Sequence, residues 1–136
     1  MGVPRRIGWQ TDRHALVDGI PFTMPVASSE TPALMAGFRV DLARATALLP
    51  GNELHAFRWG GSALLMVTVV DYRKTNIGRY IEYSIGIGCT HGRQAAPPFL
   101  PLVLQQWYGL GQYVHDLPVS SEVSVKGGKG IWGMPK

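Results

Sequence analysis

Short apolar blocks alternate with polar ones along this chain, and glycine or proline separates many of them. Apolar residues at every second position predict strands, and recurrence every three to four residues predicts helices. Residues 33–40 read as a strand, after which Asp41 caps a short helix through Leu48 that ends before Pro50 and Gly51. Leu42, Ala45, Leu48 and Leu49 make the apolar stripe of that helix. A strand over 53–59 follows, then Gly60-Gly61 and the apolar run from Ala63 to Val70. So continuous a run predicts a strand covered on both faces.

Asp71 to Arg79 form a polar connection to the next strand, over 80–89. On that strand Ile81, Tyr83, Ile85 and Ile87 share one face. Glu82 projects to the other with Ser84, Gly86 and Gly88, where small residues leave room for a ligand or a close backbone. The plainer alternative is a solvated acid on an edge strand. Residues 1–32, with Pro4, Pro21, Pro25 and Pro32, predict an irregular arm with at most one short edge strand, its face carrying Ile20, Phe22 and Met24. Tyr113 to Pro118 predict a short strand, and Ser120 or Ser121 caps one or two helical turns through Lys126. A glycine-rich stretch then leads to Trp132 and Lys136. The sum is an α+β chain dominated by antiparallel sheet, a single domain over 1–136 or the N-terminal portion of one.

Composition changes this picture in three ways. With 46% hydrophobic and 16% charged residues, little surface is left to face water, which predicts oligomerisation or a partner segment. The net charge of +4 is scattered, with only Arg5-Arg6 and Arg73-Lys74 adjoining, so no nucleic-acid partner is expected. A single cysteine, Cys89, forbids an internal disulfide, and the 4 histidines show no metal-ligand spacing. These features and the lack of an apolar leader behind Arg6 predict a cytoplasmic protein without a metal. Residues 94–114 carry no charge, but Pro97, Pro98 and Pro101 with Gln105, Gln106 and Gln112 argue against a membrane span. An apolar excursion that packs on a second subunit or lids a pocket fits them better.

Candidate chemistry is sparse. Lys136 follows Ile131, Trp132, Met134 and Pro135, and burial among apolar side chains favours the free amine that condenses with carbonyls. Taken alone, such a lysine is more often a solvated charge. Gly127-Gly128-Lys129-Gly130 lacks the Gly-Lys-Ser/Thr of a phosphate loop. His115 and Asp116, being adjacent on a strand, point to opposite faces. No Gly-x-Ser-x-Gly elbow occurs, and Cys89 reads as a buried structural thiol.

Val70-Asp71-Tyr72-Arg73, the run from Ile77 to Glu82, the run from Leu117 to Glu122 and the closing run from Gly128 to Lys136 resemble the acetoacetate decarboxylase superfamily over residues 33–136. The closing Gly-x-x-x-Trp-Gly-x-Pro-Lys is the most specific of these. The resemblance implies a β-cone, of which this chain carries the half through a Schiff-base lysine, Lys136. It implies a lyase that needs no cofactor: a β-keto acid condenses with the amine, the imine takes up electrons as carbon dioxide leaves, and the enamine is protonated and hydrolysed. Glu82 then orients substrate or moves protons, Trp132, Met134 and Tyr80 bind substrate, and Glu122 is structural. The implied partners are a small keto acid, further copies of the chain in a homo-oligomer, and the C-terminal half of the fold, in one version supplied as a second chain.

Two positions depart from the family pattern. The place of a pocket arginine falls near Thr31, and that of a second pocket acid falls in the uncharged stretch 94–114. Aldol, dehydration or cyclisation chemistry on keto acids therefore stays open, as does a non-catalytic β-cone that binds a small molecule. A chain ending at Lys136 would set its own carboxylate beside the amine and favour the ammonium form. The expectation is that a second chain completes the fold or that this chain is an inactive fragment.

Overall fold

The computed structural model describes residues 6–11 and 14–136, with side chains from His14 onward. In chain order the strands are β1 (Arg6–Thr11), β2 (His14–Val17), β3 (Ile20–Thr23), β4 (Ser28–Ser29) and β5 (Ala33–Asp41). Helix α1 (Leu42–Ala47) precedes β6 (Leu54–Ala56), β7 (Arg58–Trp59), β8 (Ser62–Tyr72), β9 (Lys74–Thr75) and β10 (Tyr80–His91). Helix α2 (Leu100–Val103), β11 (Gly111–Asp116) and helix α3 (Glu122–Trp132) complete the chain. The fold is α+β with mainly antiparallel sheet. Its largest sheet has the order β11-β10-β8-β5, with β6 added on β10 and β7 on β8, and does not close among the described residues.

The chain divides into two compact units. One comprises Met1–Leu34, Val69–Tyr83 and Asp116–Lys136; the other comprises Met35–Thr68 and Ser84–His115.

In the first unit, β1, β2 and β3 form an antiparallel sheet where the proline-rich sequence predicts an arm with one strand at most. The overlooked signal is Asp18-Gly19: both residues have positive φ, 48° and 80°, the conformation of a tight hairpin turn. Pro21 is accommodated because β3 is an edge strand of this sheet. Ala15, Val17 and Phe22 are its buried core, with Ile20, Ile77, Val123 and Ile131 packed against them. Residues 1–5 and 12–13 of the predicted arm lie outside the described residues.

Helix α3 runs through the glycines that were expected to end it at Lys126. The Ser121 hydroxyl caps it, accepting from Ser124 N–H at 3.4 Å. A glycine costs a helix about 1 kcal/mol relative to alanine, and here close packing offsets that cost. Cβ atoms at Gly127 and Gly130 would lie 2.7 Å from Phe22 Cε1 and 2.7 Å from Val17 Cγ1. Only hydrogen fits there.

In the second unit, Ala45, Ala56, Ala63 and Ile87 form the core, with Val40, Leu42, Leu49 and Leu65 against it. Asp41 caps α1 through Arg44 N–H at 2.8 Å, and Leu48, predicted to share the apolar stripe, is 46% exposed. The strand predicted over 53–59 breaks at Phe57 into β6 and β7. The apolar run in β8 is not buried on both faces as predicted. Ala63 and Leu65 reach the core, but apart from Ala63 the strand is only half-buried. Neighbouring strands satisfy its backbone without covering its faces. Phe99, Leu100, Leu102, Val103, Leu104 and Trp107 in the uncharged stretch are exposed, the last to 82%.

Candidate active site

Three pieces of the first unit meet at Lys136. Residues 117–120 lie along the start of β10: Tyr83 N–H donates to Pro118 carbonyl at 2.9 Å, Ser120 N–H to Ile81 carbonyl at 3.0 Å, and Ile81 N–H to Ser120 Oγ at 2.8 Å. This pairing fixes the pleat. Ile81, 47% exposed, faces out, and its neighbour Glu82 points inward with its side chain 16% exposed. The expected apolar face of β10 is therefore the outer one at this end of the strand.

Gly133 ends α3 in the left-handed conformation, φ 65°, which a glycine adopts without strain. Met134 N–H then donates to Gly128 carbonyl at 3.0 Å and Lys136 N–H to Met134 carbonyl at 2.9 Å. The reversal sends the Lys136 side chain back along the helix. Its Nζ donates to Ser124 Oγ at 2.9 Å and lies 2.8 Å from Glu82 Oε2, with the side chain only 5% exposed. It is 5.5 Å from the centre of the Tyr80 ring.

Two tyrosines complete the polar cluster. Tyr72 and Tyr80 stack with centroids 4.5 Å apart and planes 18° from parallel. Tyr72 donates to Glu82; burial, the Glu82 charge and Tyr80 push its phenol up to about 12. Burial also raises the Tyr80 phenol, and a hydrogen bond with Ser124 acts against this while the Glu82 charge adds to it. Both tyrosines therefore keep their protons at neutral pH. The chain of contacts runs Tyr72, Glu82, Lys136, Ser124, Tyr80.

The structure thus brings together Lys136, Glu82 and Tyr80 of the five residues singled out from sequence. Trp132 and Met134 stand near the end of α3, 44% and 40% exposed. Tyr72 and Ser124 were missed. Tyr72 lay within a recognised run without a role, and Ser124 becomes visible only once α3 continues far enough to set it one turn before Gly128. Glu122 is at the first helical position, 3.4 Å from Lys126. Cys89 is buried in the second unit, which raises its thiol and keeps it protonated. Among the described residues no cluster of three His, Cys, Asp or Glu could hold a metal, and no helix is long and apolar enough to cross a membrane.

The family model for acetoacetate decarboxylase (ADC) matches residues 11–136, and the chain belongs to this family. Neither the curated proteins nor the solved structures yielded a match.

Proposed function

We propose that the protein is a Schiff-base-forming lyase that decarboxylates a small keto acid. The observation that carries this is the Lys136 amine, withdrawn from solvent and held 2.8 Å from Glu82. A lysine attacks a carbonyl only as its free base, so the ammonium of the Lys136–Glu82 pair must first give up a proton, and Glu82 is the acceptor within reach. Nitrogen then bonds to the carbonyl carbon, water leaves, and a protonated imine remains. The bond to the carboxylate breaks, its electron pair moves into the imine to give an enamine, and carbon dioxide departs. A proton returns to carbon, and hydrolysis frees the product ketone and the amine. Glu82, hydrogen-bonded to Tyr72, supports proton transfer in both directions.

Borohydride reduction in the presence of acetoacetate tests this directly. The expected result is a mass increase located by peptide mapping on Lys136, together with release of carbon dioxide when borohydride is omitted. No adduct on Lys136 would sink the proposal. An adduct without carbon dioxide would redirect it to aldol, dehydration or cyclisation chemistry on the same amine.

A further inference from the structure

The glycines of α3 serve two different surfaces. Gly127 and Gly130 admit Phe22 and Val17, whereas a Cβ at Gly128 would lie 2.8 Å from Cε and 3.1 Å from Cγ of Lys136. The lysine stem fills the space that this glycine leaves. Ser124 is one turn earlier on the same face, 2% exposed, and accepts the Lys136 hydrogen bond. Gly128 also accepts at its carbonyl the Met134 N–H that turns the chain back. Seat, return and anchor are thus built on one stripe of one helix.

We propose that Gly128 and Ser124 are positioning residues for the Lys136 amine. Gly128 leaves open the groove in which the stem lies, and Ser124 fixes the place of the nitrogen beside Glu82. The functional meaning of this seat rests on the Schiff-base proposal, but its existence does not. A methyl at Gly128 would meet a flexible side chain and not the backbone, so the lysine gives way while the helix stays. Ser124 binds one N–H and leaves proton transfer to Glu82.

The test combines two readouts on the full chain. Limited labelling by trinitrobenzenesulfonate, read by peptide mass, reports whether Lys136 is seated; borohydride trapping with acetoacetate reports whether it reacts. In Gly128→Ala, labelling of Lys136 rises several-fold, whereas labelling of Lys126 and Lys129 does not. Trapping drops by roughly 10- to 100-fold, the usual consequence of misplacing a reacting group by about 1 Å. In Ser124→Ala, labelling changes little and trapping falls several-fold, and Ser124→Thr, which keeps a hydroxyl, restores most of it. Gly128→Ala that labels and traps like the parent overturns the proposal. So does a lower melting temperature with Lys126 and Lys136 labelled together, because Gly128 would then serve the fold alone. Failure of Ser124→Thr to restore trapping removes Ser124 from the assignment. If the parent itself gives no adduct, the Schiff-base proposal fails and the labelling arm alone decides whether the seat exists.

Discussion

The Lys136–Glu82 pair makes a quantitative prediction. At 2.8 Å, with side chains 5% and 16% exposed, the two charges attract by about 6 kcal/mol at an effective dielectric of about 20. Desolvation costs several kcal/mol per ion, so the intact pair is close to neutral for stability. Removing one partner leaves the other buried and unpaired, at a typical cost of about 3–5 kcal/mol. The two single variants should differ. Glu82→Gln strands the more deeply buried charge with Ser124 as its hydrogen-bond partner, and should cost about 3 kcal/mol. Lys136→Met strands a carboxylate that retains some solvent and the Tyr72 hydroxyl, and should cost about 2 kcal/mol. The double variant has no charge to strand and should lie within about 1.5 kcal/mol of the parent. Urea unfolding of all four proteins measures the cycle through the midpoints, provided the slope is unchanged. A coupling energy below about 0.5 kcal/mol, the ordinary limit of additivity, would refute the claim that the two groups form one buried unit.

Two further outcomes follow from the same unit. Tyr72, raised from 10.0 to about 12, should titrate as the late step in ultraviolet detection of tyrosinate, and in Glu82→Gln that step should move down because a neighbouring charge is gone. Because the folded value lies above the unfolded one, this tyrosine's contribution to stability is complete below pH 10.0 and is lost as pH rises towards about 12; Tyr72→Phe should remove that part of the alkaline loss. An unmoved step in Glu82→Gln would show that the two do not interact. Gly130→Ala places a methyl 2.7 Å from Cγ1 of Val17, a fully buried side chain. Overpacking of about 1–3 kcal/mol against a gain of about 1 kcal/mol in helix propensity gives a net loss of about 0–2 kcal/mol, read as a lower urea midpoint.

Sequence alone determined what local chemistry determines. Asp41 announces the start of α1, Ser120 or Ser121 the start of α3, and the alternation around Glu82 a strand with an acid on one face. The terminal run from Gly128 to Lys136 identified the family by its residue types and spacing. Asp18-Gly19 is a legible hairpin turn, although the prolines around it read as an irregular arm. What the tertiary structure decided is which side of each element is inside. The pairing of residues 117–120 with β10 turns Ile81 outward and Glu82 inward, a choice that alternation cannot make because either face fits the pattern. Likewise the glycines of α3 look like loop residues until Phe22, Val17 and the stem of Lys136 occupy the space beside them. A glycine's missing side chain has meaning only through the atoms that fill its place, and those atoms come from elsewhere in the chain.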